Sequence, residues 1–188
     1  MSGAAVLSQQ QGGATGTTVI PGDITPEEIA SAIGSRIENV RSQWPLVLAA
    51  LREQGIGDRA TQIAAAATVG VEAHIFLPIE EYRNADGSIP WYWHNYDGGA
   101  EYHGRGLIQL THRYNYQHYG DILGVDLVAM PWWALDHRTS ARVLALFFAE
   151  HGIAAMAQAG DWRAVRRTVN GGYNGLDEFI GYVQALGG

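Results

Sequence analysis

Apolar residues recur at helical spacing near the start of the chain. Ile29, Ile33 and Ile37 follow one another at intervals of four, the spacing that places side chains on one helix face. A further helical stretch, "WPLVLAALREQGI", ends near Gly55. The first part of the ordered chain is therefore predicted to be helical.

Two helix starts are marked by capping residues. Thr25 suits an N-cap, with Pro26 at the first helical position and Glu28 completing a capping box. Asp58 suits the N-cap of "DRATQIAAAATVGVEAH", whose body is rich in alanine. Because small side chains let other helices approach closely, we predict that this helix is central and buried.

Residues 76–104 follow no sustained period and contain Pro, Gly, Asn, Asp and aromatic residues. We predict a long loop or short hairpin there, and loops of this length in compact domains are often functional. Helical patterning resumes over 140–160, 161–172 and 177–188. Without alternation of strands and helices, the fold class is mainly α.

Composition divides the chain into a tail and one domain. Residues 1–22 are rich in Gly, Gln, Thr and Ser, which is typical of a flexible linker to another module. Residues 23–188 are long enough for one domain with its own core. The N-terminus lacks the basic start and apolar stretch of a Sec signal, and no apolar run is long enough to span a membrane.

Charge and cysteine content exclude several classes of function. The formal net charge of -7 has the wrong sign for a nucleic-acid binder, and the absence of Cys excludes disulfides and thiolate metal sites. Seven His residues occur without a His-Glu-x-x-His motif or compact ligand spacing, so no metal or other cofactor is expected.

Three carboxylates are candidates for acid–base chemistry. Glu72 ends the alanine-rich helix in an apolar stretch, and burial disfavours a charged carboxylate, as a general acid requires. An ion pair between Glu72 and an arginine is the structural alternative. Glu80 and Glu81 follow Pro78, where the chain can bend back towards Glu72. Two carboxyl groups roughly 6.5–9.5 Å apart suit inverting glycoside hydrolysis.

The segment "EYHGRGLIQLTHRYNYQHYG" (101–120) is rich in hydrogen-bonding and aromatic side chains. Its Gly-Arg-Gly allows a tight turn and a close approach to a ligand or to another element. Gln109, Thr111 and Asn115 suit hydroxyl and amide groups of a ligand. The aromatic residues of this segment and of the preceding loop suit either a core or a sugar-binding groove, and their alternation with polar and Gly residues favours the groove. They are Trp91, Tyr92, Trp93, Tyr96, Tyr114, Tyr116 and Tyr119.

These residues carry a resemblance to a known family. "GRGLIQLTHRYNYQHYG" resembles the Gly-Arg-Gly-x-Ile-Gln-Leu-(Ser/Thr)-x-x-x-Asn-Tyr signature of glycoside hydrolase family 19, which includes plant-type chitinases and many phage endolysins. "VNGGYNG" is similar to the family's later Asn-Gly-Gly segment, and "AAAATVGVEAHIFLPIEEY" to the helix that ends in its acid Glu. The resemblance covers roughly residues 58–183 and implies a lysozyme-like helical fold in two lobes around a cleft.

The resemblance also implies roles for individual residues. Glu72 would be the general acid and Glu81 the general base, with Glu80 as the fallback, and Thr111 would orient the attacking water. The expected sugar-binding residues are Gln109, Tyr114, Asn115 and Asn170. The arginine common in the family's C-terminal segment has no counterpart in this sequence, and Phe179 falls near its place.

The absence of cysteine and of several plant-chitinase loops favours the endolysin branch. We therefore expect a monomeric peptidoglycan hydrolase that cleaves between N-acetylmuramic acid and N-acetylglucosamine. It would be made in the host cytoplasm, act on the wall after release, and be joined to other endolysin modules. The lysine-free composition favours a phage of an actinobacterial host, of the mycobacteriophage type. The alternatives are a chitinase, a lytic transglycosylase, a non-catalytic glycan-binding module and a zinc amidase.

Overall fold

The computed structural model of the protein describes residues 20–188. The linker predicted over residues 1–22 lies outside them, apart from its last three positions. Within the described part the chain is mainly helical, as predicted. Its α-helices are α1 Pro26–Ile33, α2 Ile37–Glu53, α3 Arg59–Glu72, α4 Arg113–Leu123, α5 His137–Glu150, α6 Ile153–Gln158, α7 Trp162–Asn170 and α8 Leu176–Ala185.

The capping box at the start of α1 is confirmed. Thr25 Oγ1 accepts the Glu28 N–H at 3.2 Å, and Glu28 Oε2 accepts the Thr25 N–H at 2.6 Å. The single helix face predicted from the isoleucine spacing is wrong. Gly34 adopts a left-handed φ of 78°, which ends α1, so Ile37 begins a second helix.

Helix α3 is the buried centre of the fold, as its alanine content predicted. Asp58 is its N-cap and accepts the Thr61 N–H at 3.1 Å. Every residue from 61 to 70 is buried, and α3 packs against α1, α2, α6, α7 and α8. Glu72 is the last residue of α3, so the packing of this buried helix fixes the position of the Glu72 backbone at the edge of the core.

Residues 20–188 contain two hydrophobic cores. The larger contains the buried faces of α2, α3 and α5 together with residues of the C-terminal helices. The smaller surrounds α4, where Tyr116 and Tyr119 pack with Leu127 and with Val143 of α5. The two cores agree with the two lobes that the family resemblance implied.

The irregular region is closed by a short hairpin, as predicted. Strand β1 (Ile79–Glu80) pairs antiparallel with β2 (Arg105–Gly106), so that Ile79 faces Gly106 and Glu80 faces Arg105. Two short 3₁₀ helices, Trp91–Asn95 and Gly99–Tyr102, lie between the strands. The hairpin thus brings the two ends of this loop together at the Gly-Arg-Gly motif.

Helix α4, which the sequence did not predict, begins inside the signature segment. Asp97 of the loop holds its first turn, since the Asp97 carbonyl accepts the Arg113 N–H and Asp97 Oδ2 accepts the Tyr114 N–H. An acidic side chain at a helix N-terminus also stabilises the helix dipole. The loop and the signature therefore form one connected structure.

Gly106→Ala should lower the free energy of unfolding by roughly 2–4 kcal/mol. Gly106 has a φ of 87°, and a Cβ there would lie 2.7 Å from Ser140 Oγ and 2.9 Å from the Ala134 carbonyl oxygen. Urea unfolding measures the loss. Gly87→Ala is the control, because Gly87 has a φ of 80° with no atom near its Cβ position. Equal losses in both variants would contradict a role for close approach.

Candidate functional site

Glu72 lies against a buried arginine. Its Oε1 accepts a short hydrogen bond from Arg166 Nη1 of α7, and the two side chains are 15% and 3% exposed. Arg166 Nε also donates to the Asn174 carbonyl at 2.7 Å. The purely apolar environment predicted for Glu72 is therefore wrong, and the alternative of an ion pair with an arginine is realised.

Glu81 follows β1 and is held by the loop. Its carboxylate accepts the Gly104 N–H at 2.9 Å and the Tyr96 hydroxyl at 3.2 and 3.3 Å. A Cβ at Gly104 would lie 3.2 Å from Glu81 Oε2 and 2.8 Å from Gln109 Oε1. Only a glycine at position 104 lets the backbone N–H approach the carboxylate without displacing these side chains.

Glu80 is an anchor of the hairpin. Its Oε1 accepts hydrogen bonds from His103 Nε2 at 2.7 Å and Arg105 Nε at 3.0 Å. Burial raises the pKa of the Glu80 carboxyl, but the His103 hydrogen bond and the Arg105 charge outweigh it and hold the pKa below its usual value. Because a lowered pKa makes a carboxylate a weaker base, Glu80 is poorly suited to activate a water molecule.

The arginine of the Gly-Arg-Gly motif is also internal. The Arg105 side chain is 9% exposed, and its Nη1 donates to the Glu101 carbonyl at 2.8 Å and to the Tyr116 hydroxyl at 3.1 Å. Burial raises the pKa of Tyr116 to about 12, although Arg105 acts in the opposite direction. The Gly-Arg-Gly motif predicted a close approach of the backbone either to a ligand or to another element. In the structure the backbone at Gly106 lies close to another element, at Ala134 and Ser140.

Two of the predicted sugar-binding amides hold the protein backbone. Gln109 Nε2 donates to the carbonyls of Ile79 and Gly106 at 3.1 and 3.0 Å. Asn115 Nδ2 donates to the Thr111 carbonyl at 2.9 Å. Both N–H groups of the Gln109 amide are therefore engaged within the protein, so Gln109 can contact a sugar only through its oxygen, whereas Asn115 keeps one N–H and its oxygen for such a contact.

The other predicted binding groups are placed differently. Thr111 is partly buried, and Tyr114 is 57% exposed with its ring stacked on His112. Asn170, the last residue of α7, has a buried Oδ1 with no hydrogen-bond partner in the described part of the chain. A buried acceptor without a partner is costly, so a turn of the side chain that brings this oxygen to a ligand N–H would be favourable.

The predicted aromatic residues divide into two groups. Trp93, Tyr116 and Tyr119 are buried, so their predicted role in sugar stacking is wrong. Trp93 instead stacks on His103, with ring centroids 3.8 Å apart. The remaining rings, which are exposed or half-buried, form a run of edge and stacking contacts through Trp91, Tyr92, Tyr96, His112 and Tyr114. This run of rings lies directly beside Glu81, because Tyr96 belongs to the run and its hydroxyl contacts the Glu81 carboxylate.

The signature segment is conformationally strained. Gln109 and His112 have φ values of 52° and 70°, in a region that residues other than glycine rarely adopt. Such strain persists where the surrounding structure holds it, and it is concentrated at functional sites. Both residues flank Thr111, so the strain fixes the backbone at the position predicted to orient water.

The described residues contain no candidate metal centre and no membrane span. No group of three His, Asp or Glu side chains in residues 20–188 is arranged to hold a metal ion. None of the helices in the same range is both long enough and apolar enough to cross a bilayer. The site within this range consists of carboxylates, a buried guanidinium, amides and aromatic rings.

A comparison with protein families shows to which family the chain belongs. The profile of glycoside hydrolase family 19, described as chitinase class I, matches residues 58–169, more than half of the chain. The chain belongs to glycoside hydrolase family 19. It is therefore a glycoside hydrolase, and the matched range contains the three candidate carboxylates, the signature and most of α7.

Solved structures of family 19 chitinases share the fold. A bacterial family 19 chitinase is 19% identical, with a TM-score of 0.63, over 87% of this chain and 94% of that chain. A mutant of chitinase C is 20% identical, with a TM-score of 0.63, and chitinase C from Streptomyces griseus is 21% identical, with a TM-score of 0.60. Both matches cover 94% of this chain and 96% of the other. The expected lysozyme-like fold is confirmed.

One curated relative matches over a short segment. Chitinase 11 of Oryza sativa subsp. japonica is 70% identical over 30 residues, which are 16% of this chain and 12% of that protein. The family 19 chain thus matches about an eighth of the length of this relative. High identity over so short a segment supports membership of the family and leaves the substrate open.

Sequence analysis missed two residues that hold the candidate carboxylates. Tyr96 was read as a stacking residue, whereas its hydroxyl contacts Glu81. Arg166 was not singled out, although it lies four positions before Asn170 and therefore on the same face of α7. That shared face was the available signal, because Asn170 had already been assigned to the site.

Tyr96→Phe should reduce kcat roughly tenfold with little change in KM, because one hydrogen bond to a charged group is lost at Glu81. Tyr96 would be a positioning residue, which acts through the carboxylate. Steady-state kinetics on a glycan substrate measures both constants. Tyr82→Phe is the control, since Tyr82 is exposed and next to Glu81 in sequence. A rise in KM at constant kcat would contradict the positioning role.

Proposed function

We propose that this family 19 chain is a peptidoglycan hydrolase of the phage endolysin type. It would hydrolyse the β-1,4 bond between N-acetylmuramic acid and N-acetylglucosamine with inversion at the anomeric carbon. The observation that carries the proposal is that both candidate carboxylates are fixed by groups from distant elements. Arg166 of α7 holds Glu72, while Tyr96 and Gly104 of the loop hold Glu81.

The two carboxyl groups would divide the chemistry between them. Glu72 donates a proton to the glycosidic oxygen as its bond to the anomeric carbon breaks. Glu81 removes a proton from a water molecule as that water forms the new bond to carbon from the opposite face, and Thr111 orients the water. Inverting enzymes leave roughly 6.5–9.5 Å between the carboxyl groups for this water.

Arg166 positions the acid in this scheme. A general acid must carry a proton when it acts. Arg166 Nη1 donates to Oε1 of Glu72, so the proton given to the glycosidic oxygen would be carried on Oε2. The hydrogen bond from Arg166 Nε to the Asn174 carbonyl holds the guanidinium in this position.

Two further residues support a substrate with N-acetylated sugars. The exposed ring of Tyr114 presents a face on which a sugar can stack. The unpartnered Oδ1 of Asn170 can accept a hydrogen bond from an N-acetyl N–H. Both N-acetylmuramic acid and N-acetylglucosamine carry this amide.

A chitinase acting on N-acetylglucosamine polymers is the second candidate, because the relatives named above are chitinases. Mass spectrometry of digested peptidoglycan and of digested chitin oligomers distinguishes the two. We expect disaccharide fragments ending in reducing N-acetylmuramic acid, and NMR of the first product should show the α-anomer. Cleavage of chitin oligomers alone would overturn the peptidoglycan proposal.

The proposed place of action is the bacterial wall after release from the host cytoplasm. The protein would act as a monomer, with other endolysin modules supplying attachment. A net charge of -7 does not favour long-range attraction to an anionic wall. Sedimentation with intact walls at low salt tests this, and tight binding by this chain alone would contradict the need for another module.

A further inference from the structure

Helix α7 concentrates positive charge in an acidic protein. Arg163, Arg166 and Arg167 are three of the twelve cationic residues, and they fall within five positions. Residues three and four apart share one face of a helix. These three residues therefore form the arginine face of α7, and Asn170 continues it towards the Asn-Gly-Gly loop.

Local physical chemistry disfavours this arrangement. Arg163 is the second residue of α7, where the helix dipole repels a cation, and the only acidic group among the described residues at this end of the helix is the N-cap Asp161, which accepts the Ala164 N–H. Like charges three and four positions apart also repel one another. Arg167 suits the dipole because it lies in the last turn, but Arg163 does not. Natural proteins tend to break such local rules at functional sites.

Only one of the three charges is neutralised by a carboxylate within residues 20–188. Arg166 is buried and pairs with Glu72. Arg163 and Arg167 are exposed, and neither takes part in an ion pair with a described residue. The Arg163 guanidinium lies over the ring of Tyr173, 4.9 Å from its centroid, which supports the side chain.

The two exposed arginines lie on either side, along α7, of the residue that holds the candidate acid. Arg166 connects α7 to Glu72, Arg163 lies three positions before it, a rise of about 4.5 Å along the helix, and Arg167 follows it directly. Tyr173 belongs to the loop that follows Asn170 and is 48% exposed. Because guanidinium groups bind carboxylates through paired hydrogen bonds, this region is suited to an acidic group on a bound glycan.

We propose that Arg163 and Arg167 bind the free carboxylates of the peptide stems on peptidoglycan. This inference rests on the proposed function and extends it to substrate selection. The stem is attached to the lactyl group of N-acetylmuramic acid, and N-acetylglucosamine has no such group. The arginine face would therefore favour peptidoglycan over chitin, which is uncharged.

The test compares three substrates with one double variant of the whole chain. The substrates are peptidoglycan fragments freed of phosphate polymers, the same glycan with its stems removed, which leaves one lactyl carboxylate on each N-acetylmuramic acid, and chitin oligomers. Arg163→Gln with Arg167→Gln should reduce kcat/KM roughly tenfold to a hundredfold on stem-bearing fragments, mainly through KM. Rates on the two stem-free substrates should change less than twofold.

Two control variants separate this effect from general charge and from folding. Arg36→Gln with Arg138→Gln makes the same change in net charge at exposed positions outside α7 and should leave all three rates unchanged. Arg163→Lys with Arg167→Lys keeps the charge and should recover part of the lost rate. Equal losses on all three substrates, or no loss on stem-bearing fragments, would overturn the proposal.

The outcome for the unmodified protein distinguishes the two proposals. If it cleaves chitin oligomers but not peptidoglycan, the proposed function and the role of the arginines are both wrong. If it cleaves peptidoglycan and the double variant does so equally well, only the role of the arginines is wrong. Activity restricted to phosphate-bearing walls, and lost in the double variant, would assign the arginines to polymer phosphates instead.

Discussion

Glu72→Gln should lower the rate of glycan hydrolysis by roughly 10²–10⁴-fold, the contribution of a general acid. The amide has nearly the shape of the carboxyl group but has no acidic proton to give to the glycosidic oxygen. Product release from a soluble glycan measures kcat, and tritium- or fluorophore-labelled substrate measures binding. Affinity should be retained, as the sugar contacts proposed for Tyr114 and Asn170 are untouched.

Arg166 makes this experiment ambiguous unless a second variant is added. Glu72→Gln leaves a guanidinium that is 3% exposed without its counter-charge, which should cost about 3 kcal/mol of unfolding free energy. Adding Arg166→Gln removes the uncompensated charge, so stability should largely return while activity stays lost. If the double variant regains activity, Glu72 serves structure alone and the proposed acid is wrong.

Glu81→Gln should also reduce hydrolysis by roughly 10²–10⁴-fold, because the attacking water loses its base. The amide can still contact the Tyr96 hydroxyl, although its NH₂ group cannot accept the Gly104 N–H, so folding is checked by circular dichroism. Mass spectrometry of the residual products adds a second measurement. A lytic transglycosylase needs no water as nucleophile. If Glu81→Gln keeps full activity and its products end in 1,6-anhydro sugars, the reaction is transglycosylation and the proposed hydrolysis is wrong.

Glu80→Gln is the matched comparison for Glu81. Glu80 contacts His103 and Arg105, so its loss should destabilise the hairpin and leave kcat much less affected. A larger loss of kcat in Glu80→Gln than in Glu81→Gln would exchange the two assignments. Comparing the variants of these two adjacent residues thus distinguishes a role in catalysis from a role in folding.

The features that sequence predicted well depend on neighbours in the chain. The Thr25 and Asp58 caps act over three residues, so short motifs reveal them. The missed features depend on distant partners. Helix α4 begins after a strained residue and is held by Asp97 of the loop, so its start lacks the usual capping pattern. Because α4 was not predicted, its helical periodicity was not used to identify Tyr116 and Tyr119 as residues of its buried face.

Sequence predicted which residues belong to the candidate site, but it did not predict which groups those residues contact. The resemblance located Glu72 and Glu81 but gave no indication that Arg166 and Tyr96 hold them. Gln109 and Asn115 were identified as polar residues of the signature, and their amide groups hold the backbone. Amide side chains serve ligands and backbone equally well, and only tertiary structure distinguishes the two uses.

The pair between Glu72 and Arg166 joins residues 94 positions apart. Contacts of such long range form late, because the intervening chain must be ordered first. A nascent chain on the ribosome has no counter-charge for Glu72 until α7 has been synthesised and has docked. Catalytic competence would then arrive only after α7 has docked, and refolding followed by activity should lag behind the recovery of helical signal.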